Sequence, residues 1–309
     1  MSLPLPSPSS SPASAPSPAL PGLVARLRAA GCVFAEDEAR LLASTARTPA
    51  GLAAMTDRRI AGQPLEHVLG WAEFAGLRIA VDPGVFVPRR RTEFLAGQAA
   101  ALARAHAAAG QRPVVVDLCC GTGAVGAALA AAMSGAANVG GAAAGTPAAA
   151  PPASPPSTPP PPIELHAADI EPAAVRCARR NIPPATGQVH EGDLYAPLPP
   201  ALRGRVDILV VNAPYVPTDA IGLLPPEARD HEPRLALDGG ADGLDVQRRV
   251  AAEALPWLAP GGHLLIETSE RQAPHTLAAF RRNGLAARLA TDDDLCATVA
   301  IGTRAPGSP

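Results

Sequence analysis

The segment that decides the fold is PVVVDLCCGTGAVGAALAAAM, residues 113–133. It begins with an apolar run of strand length, continues through a glycine-containing loop, and ends in an alanine-rich helical stretch. An acid at a strand end, a glycine loop and a helix start, in that order, are how a doubly wound sheet makes room for a ligand, because free N–H groups at the helix start attract an anion. A tight strand-to-helix turn without a ligand explains the same residues equally well.

From residue 113 onward, the apolar pattern alternates between the strand period and the helix period. Strands are predicted at 113–118, 163–167, 187–190, 206–212, 263–268, 284–289 and 295–301. Helices are predicted at 124–134, 171–181, 245–258 and 272–282. Strands that alternate with helices are typical of a parallel sheet covered on both faces, so the expected fold class is α/β, in a domain from 113 to 304.

The rest of the chain has three other textures. Residues 20–83 carry apolar residues at helical spacing and predict a small helical domain, and 84–112 are expected to form a connecting hairpin and helix. Residues 1–19 are a Ser/Pro tract, and 135–162 are an Ala/Pro-rich insert within the α/β domain. Neither tract can bury a core, so both are expected to be disordered, with the insert looping out at the surface.

The composition favours neither nucleic acid nor membrane as a partner. The net charge is −2, all 26 basic residues are arginine, and aromatic residues make up 3% of the chain. No run reaches the ~18 apolar residues that span a bilayer, and the amino terminus lacks the features of a secretory signal. The 5 cysteines form no CxxC pair and no zinc-spaced cluster with histidine. A cytoplasmic monomer without a metal is therefore expected.

Acidic residues end three consecutive predicted strands. Asp117 ends the first, Asp169 follows the second in ADIEP, and Asp193 with Leu194 follows the third in EGDLY. A carboxylate at this edge can accept hydrogen bonds from ribose hydroxyls, and open α/β sheets bind ligands there. Taken singly, Asp169 is better explained as a helix cap and Asp193 as a turn residue. Three such strands together favour a ligand-binding edge.

The fourth predicted strand, VDILVVN, delivers the tetrapeptide Asn212-Ala213-Pro214-Tyr215 to the same edge. This tetrapeptide resembles the (Asn/Asp/Ser)-Pro-Pro-(Tyr/Phe/Trp) loop of S-adenosylmethionine-dependent enzymes that methylate planar amino groups. The stretches GQPLEHVLGWAEFAGLRIAVDPGVFVPRRRTEFL, EPRLALDGGADGLDVQRRV and LPWLAPGGHLLIE are similar to HemK/PrmC-type protein-glutamine N5-methyltransferases. Those enzymes modify the glutamine of a Gly-Gly-Gln motif in peptide-chain release factors. The resemblance runs from about residue 20 to 301, without the insert.

The resemblance implies a class I S-adenosylmethionine-dependent methyltransferase domain, with a Rossmann-like sheet of seven strands whose last two are antiparallel, preceded by a helical domain that docks a protein substrate. It implies that the Cys119–Gly123 loop holds the methionine end of the cofactor, Asp169 the ribose, and Asp193 with Leu194 the adenine. The implied cofactor-binding residues are Asp117, Cys119, Cys120, Gly121, Thr122, Gly123, Asp169, Asp193, Leu194 and Asn212.

The resemblance also implies a catalytic role for Asn212, Ala213, Pro214 and Tyr215. The side-chain carbonyl of Asn212 and the main-chain carbonyl of Ala213 would accept the two N–H groups of the substrate amide. Tyr215 would pack its ring on the flat substrate group. The expected partner is therefore a protein substrate, a peptide-chain release factor or a related protein.

The sequence departs from the family pattern in three places. Ala213 replaces the first proline of the tetrapeptide, which loosens the backbone but keeps the main-chain carbonyl. Residues 88–93 read PRRRTE where the family has Pro-Arg-Pro-Glu-Thr-Glu. A run of arginines is usually a solvated face, and the alternative is a changed protein partner with an acidic surface. Cys119 and Cys120 stand where the family tends toward Gly-Thr, and are expected to be small packed residues.

Two other functions compete with amide methylation. A nucleic-acid adenine methyltransferase uses the same tetrapeptide, but it must hold a charged backbone and extract a base, which the charge and the few aromatics disfavour. A non-catalytic S-adenosylmethionine-binding module would need the cofactor edge without Asn212 or Tyr215. Their presence favours an enzyme.

Overall fold

The computed structural model describes residues 20–135 and 162–307. The tracts predicted to be disordered, 1–19 and 135–162, lie outside these ranges except for Gly135 and Pro162. The chain divides into two compact units, Met1–Leu69 and Gly70–Pro309. Among the described helices, none is both long and apolar enough to cross a membrane.

The described part of the first unit is helical, as predicted. Its helices are α1 Leu20–Ala29, α2 Ala35–Thr45, α3 Pro49–Ile60 and α4 Leu65–Leu69. Helix α3 begins where the Thr48 hydroxyl accepts a hydrogen bond from the Gly51 N–H at 3.0 Å, as expected for an N-cap threonine. Between the helices, the Arg59 guanidinium donates to the buried Glu38 carboxylate at 2.7 Å.

The prediction of a helical segment through residue 83 extends too far, and the hairpin expected within 84–112 lies before that range, which instead holds the helix Thr92–Ala108. Residues 71–80 form an antiparallel hairpin of β1 Trp71–Phe74 and β2 Leu77–Ala80, which belongs to the second unit. In the sequence WAEFAGLRIA, burial alternates along each strand on both sides of the Ala-Gly turn. A two-residue period around a glycine turn is a hairpin signal, and it outweighs the helical texture of the residues before it.

The second unit contains a seven-stranded sheet covered by helices. Its remaining strands are β3 Val114–Leu118, β4 Glu164–Asp169, β5 Gln188–Glu191, β6 Val206–Val211, β7 Leu258–Thr268, β8 Leu285–Asp292 and β9 Ala297–Arg304. Its α-helices are α5 Thr92–Ala108, α6 Ala124–Met133, α7 Pro172–Asn181, α8 Pro226–His231, α9 Arg234–Leu237, α10 Asp245–Ala254 and α11 Ala273–Arg282. Two 3₁₀ helices, Pro200–Leu202 and Thr218–Leu223, lie in the connections.

The strand order is β5-β4-β3-β6-β7-β9-β8. The first five of these strands are parallel, and β9 pairs antiparallel with both β7 and β8. The predicted α/β sheet of seven strands is therefore confirmed. Strand β7 starts earlier than predicted and α10 ends earlier, because Leu258 already pairs with Val206 in the ladder.

The strand registers align the carboxyl ends of β4, β3, β6 and β7 along one edge of the sheet. Leu118 pairs with Ala168 and with Val211, and Val211 pairs with Ile266. The residues that follow these pairs therefore emerge side by side.

Each face of the sheet has its own apolar layer. Ile208, Val210 and Leu265 pack in the layer that includes α5 and α6, whereas Leu209 and Ile266 pack in the layer that includes α10 and α11. Side chains alternate along a strand. Asn212 and Glu267 therefore continue the face that α5 covers.

Candidate active site

The loop Cys119–Gly123 passes tightly over the start of α6. The Cys120 N–H donates to the Ala168 carbonyl at 3.1 Å, and the Gly121 N–H donates to Asp169 Oδ2 at 2.8 Å. Gly123 has φ 75°, and a Cβ there would lie 3.0 Å from the Ile182 side chain. A side chain at this position would therefore meet both backbone strain and a clash, and glycine lets the loop lie against its neighbours.

Two cysteines form the first half of this loop. Cys119 adopts φ 54°, a left-handed conformation that is unfavourable for a residue with a Cβ. Cys120 is buried at 8% exposure. Burial raises the pKa of both thiols, and the carboxylates of Asp117 and Asp169 add to the rise. Both thiols are therefore protonated near neutral pH, which fits the expectation of small packed residues.

Asp117 lies beneath the loop with 1% exposure, and its Oδ2 accepts a hydrogen bond from the Gly126 N–H at 2.9 Å. Burial raises the pKa of this carboxyl from 3.8 to about 7, the Gly126 N–H opposes the rise, and Asp169 adds to it. Asp117, one of the predicted cofactor residues, therefore connects the end of β3 to the first turn of α6 by this hydrogen bond.

Asp169 is half-buried at the end of β4, and each of its oxygens accepts one backbone N–H. Oδ2 accepts from Gly121, and Oδ1 accepts from Glu171 at 2.9 Å. The N-cap residue of α7 is Glu171, so the helix-cap explanation of Asp169 is wrong. Burial raises the pKa of the Asp169 carboxyl, and the two N–H groups oppose that rise. One lone pair on each oxygen remains for a ligand diol.

Asp193 and Leu194 follow β5 beside an open cavity of about 390 Å³. Leu194 has φ 47°, and Asp193 Oδ2 accepts a hydrogen bond from Arg249 at 2.5 Å. The stacked rings of Tyr195 and Trp257 form part of the cavity wall. The charged side chains of Asp193, Arg203, Arg249 and Glu253 share the lining with these rings.

The tetrapeptide follows β6 on the same edge. The Asn212 side chain is half-buried, and its Nδ2 donates to the Thr92 hydroxyl oxygen at 3.4 Å. Ala213 is buried at 1% exposure. The Tyr215 carbonyl accepts a hydrogen bond from Gln272 Nε2 at 2.9 Å, and its hydroxyl accepts one from Arg91. Both ends of the tetrapeptide are therefore held by side chains from outside it.

The segment EPRLALDGGADG, residues 232–243, pins the chain just after Tyr215. The Val216 N–H donates to the Leu237 carbonyl at 3.0 Å, and the Gly239 N–H donates to the Val216 carbonyl at 2.8 Å. The Thr218 hydroxyl donates to Asp238 Oδ1 at 2.7 Å. This segment therefore forms a short ladder that fixes the exit of the tetrapeptide.

The arginine run beside the tetrapeptide is largely engaged within the protein. Arg89 donates to both oxygens of Glu232, at 2.6 and 2.7 Å. Arg91 donates from Nε to Glu267 Oε1 at 3.2 Å and also contacts Tyr215. Arg90 is exposed to solvent. A solvated face therefore describes Arg90 and also Arg91, whose side chain is 45% exposed although it pairs with Glu267. Arg89 departs from that interpretation, because it is half-buried against Glu232.

The sequence interpretation missed three residues of this site: Thr92, Glu267 and Gln272. Glu267 is an acid near the end of a fifth parallel strand, which is the same signal that marked Asp117 and Asp169. Thr92 and Gln272 carried no such signal, because a threonine at a helix start and a glutamine before a helix are ordinary in any fold.

The sheet order, the glycine loop and the carboxylates along one edge define a class I S-adenosylmethionine-dependent methyltransferase. No family model matches the chain. Relatives named release factor glutamine methyltransferase match it at 36% identity in Streptomyces coelicolor (70% of this chain, 66% of the relative), 35% in Mycolicibacterium smegmatis (80% and 78%) and 33% in Bradyrhizobium diazoefficiens (81% and 81%). The chain belongs to the release factor glutamine methyltransferase family.

A relative with a different name matches almost as well. The 4-amino-L-phenylalanine/4-methylamino-L-phenylalanine methyltransferase of Streptomyces pristinaespiralis is 34% identical over 74% of this chain and 68% of its own length. Among solved structures, the protein-(glutamine-N5) methyltransferase of Alicyclobacillus acidocaldarius covers 74% of this chain and 100% of its own at 22% identity and a TM-score of 0.39.

Proposed function

We propose that this protein transfers a methyl group from S-adenosylmethionine to the side-chain amide nitrogen of a glutamine in a peptide-chain release factor. The observation that carries the proposal is the orientation of Asn212 at the ligand edge. Its Nδ2 is turned toward Thr92, and its Oδ1 accepts no hydrogen bond from the part of the chain that the structure describes. An acceptor is thus left for the N–H group of a substrate.

The cofactor edge fits S-adenosylmethionine. Backbone N–H groups at the start of α6 suit the carboxylate of its methionine end, Asp169 suits the ribose hydroxyls, and the cavity beside Asp193 suits the adenine. When bound, the cofactor supplies an electrophilic methyl group on a sulfonium. The residues of this chain bind it, orient the acceptor nitrogen and exclude water.

An amide nitrogen is a poor nucleophile because its lone pair is delocalised into the carbonyl. Two acceptors, Asn212 Oδ1 and the Ala213 carbonyl oxygen, can bind its two N–H groups and favour a more pyramidal nitrogen. The same oxygens stabilise the positive charge that develops on the nitrogen before one of its protons is lost. The Tyr215 ring offers a flat surface for the amide, and fixed orientation contributes further.

A second candidate is methylation of an aromatic amine on a free amino acid. The observation that favours it is the 34% identity to the 4-amino-L-phenylalanine enzyme, close to that of the release factor enzymes. An arylamine nitrogen is also planar, with two N–H groups for the same two acceptors. The Arg91 guanidinium beside Tyr215 is a group that can bind the carboxylate of a small substrate.

Transfer of labelled methyl groups decides between the two. Release factors from the same organism and 4-amino-L-phenylalanine are offered in parallel to the wild type, to Asn212→Ala and to the control Asn283→Ala, which lies at the end of α11. We expect label on the Gly-Gly-Gln glutamine, a loss of about 100-fold or more in kcat with Asn212→Ala, and no loss in the control. Label on the free amino acid alone would overturn the release-factor proposal.

A further inference from the structure

We infer that Thr92 and Glu267 are positioning residues, which hold the Asn212 side-chain amide in the one orientation that presents its carbonyl oxygen to the substrate. This inference rests on the proposed function, since it assigns the device that prepares Asn212 for an N–H donor. Neither residue touches the reacting atoms in this scheme, and both act through Asn212.

The fold brings the three side chains together. Asn212 and Glu267 follow the paired residues Val211 and Ile266 on neighbouring parallel strands, and both point to the face that α5 covers. Thr92 is the first residue of α5 and is 2% exposed. Glu267 is 3% exposed. The cluster therefore lies at the buried junction of β6, β7 and the start of α5.

The amide of an asparagine has two nearly isosteric ends, so packing alone does not select one. Hydrogen-bond polarity does. An ionised carboxylate only accepts. A carboxylate at Glu267 would take the proton of the Thr92 hydroxyl and leave the hydroxyl oxygen as an acceptor. The oxygen in turn selects the Nδ2 end of Asn212, which is the end observed at 3.4 Å, and Oδ1 is turned away.

Glu267 has a buried oxygen that can accept this proton. Arg91 donates to Oε1 at 3.2 Å, while Oε2 is buried and has no hydrogen-bond partner of ordinary geometry within the described chain. A buried carboxylate oxygen without a donor is costly, so a neighbouring hydroxyl proton is drawn to it. Burial raises the pKa of the Glu267 carboxyl, and the Thr92 hydroxyl opposes that rise by hydrogen bonding, together with the guanidinium of Arg91.

The first test observes the Asn212 amide directly and needs no substrate. The chain has four asparagines, so ¹⁵N-asparagine labelling gives few side-chain amide signals, and Asn212→Ala identifies the relevant one. Thr92→Val is nearly isosteric and lacks the hydroxyl, whereas Thr92→Ser keeps it. We expect Thr92→Val to shift the Asn212 signals and to speed their hydrogen exchange, and Thr92→Ser to leave them close to the wild type. Unchanged signals in Thr92→Val would overturn the inference.

The second test measures kinetics. Thr92→Val and Glu267→Gln should each lower kcat by about 10-fold or more, because a misplaced group at the reacting centre is costly, with an unchanged Kd for S-adenosylmethionine. Thr92→Ser should recover most of the rate. Equal losses in Thr92→Ser and Thr92→Val would overturn the inference. A wild type inactive on release factors would contradict the proposed function instead, and the amide signals would still decide the orientation of Asn212.

Discussion

At the scale of single residues, burial sets the chemistry of the ligand edge. Asp117 is enclosed, and its pKa is raised to about 7, chiefly by burial. The thiols of Cys119 and Cys120 have raised pKa values for the same reason, so neither is a ready thiolate nucleophile. The edge therefore holds neutral or hydrogen-bonded groups before a ligand binds.

Asp117 makes stability depend on pH. Its pKa is higher in the folded chain than its ordinary value of 3.8, so between pH 3.8 and about 7 the folded state keeps a proton that the unfolded state has released. The wild type consequently loses stability as the pH rises through this window. Asp117→Asn keeps an oxygen that can accept from Gly126 but does not titrate. Its free energy of unfolding relative to the wild type should rise across the window and level off above it.

Urea unfolding at pH values from about 4 to about 8 measures this difference. If the free energies of unfolding of Asp117→Asn and the wild type differ by the same amount at every pH, Asp117 is not the titrating group.

At the scale of elements, the loop after β6 is shaped by two clamps that come from elsewhere in the chain. Gln272 donates to the carbonyls of Tyr215 and Asp242, at 2.9 and 3.0 Å. Gly243 also packs against the Tyr215 carbonyl. It has φ 78°, and a Cβ there would lie 2.2 Å from the Tyr215 carbonyl oxygen. The position of the tetrapeptide therefore depends on a glycine about thirty residues downstream.

Gly243→Ala should displace Tyr215, since the new methyl group collides with backbone and the conformation disfavours a side chain. We expect kcat to fall by about 10-fold or more while the Kd for S-adenosylmethionine changes little, because a misplaced contact at the reacting group is costly. The matched control is Gly222→Ala, where a Cβ meets nothing within 4 Å. Equal kcat values in the two variants would contradict the role of Gly243, and calorimetry supplies the Kd.

At the scale of the whole unit Gly70–Pro309, ion pairs join segments that are remote in sequence. Arg89 and Glu232 are 143 residues apart, and Arg91 and Glu267 are 176 apart. Both pairs tie the segment before α5 to the ligand edge. Arg91, which stands where the family pattern has an acid, is thus paired with the Glu267 carboxylate of the same unit.

Arg89→Met should lower the free energy of unfolding by about 2 kcal/mol. Removing one partner of a fully buried pair costs about 3–5 kcal/mol, and partial exposure of Arg89 reduces that figure. The Glu232 side chain is 1% exposed, whereas that of Arg89 is 33% exposed. Arg90→Met, an exposed neighbour, should change stability by less than about 0.5 kcal/mol. Chemical denaturation compares the two, and equal losses would show that the pair with Glu232 contributes nothing specific.

Much of the architecture was readable from local sequence. The strand and the helix within 113–133, the carboxylates near the ends of β3 and β4, and the position of Asn212 after β6 all follow from apolar periodicity, which each short segment carries by itself. The hairpin at 71–80 was misassigned to the helical domain because the helical pattern before it was extended over its alternating pattern and glycine turn, which were readable in the sequence.

What local sequence could not decide is which side chains meet at the edge. Thr92, Asn212 and Glu267 come together only because α5 lies over β6 and β7, and because the register of those strands aligns Asn212 with Glu267. Arg89 and Arg91 meet their carboxylate partners for the same reason. Periodicity depends on neighbours three or four residues away, whereas these contacts span more than a hundred residues and exist only once the sheet has assembled.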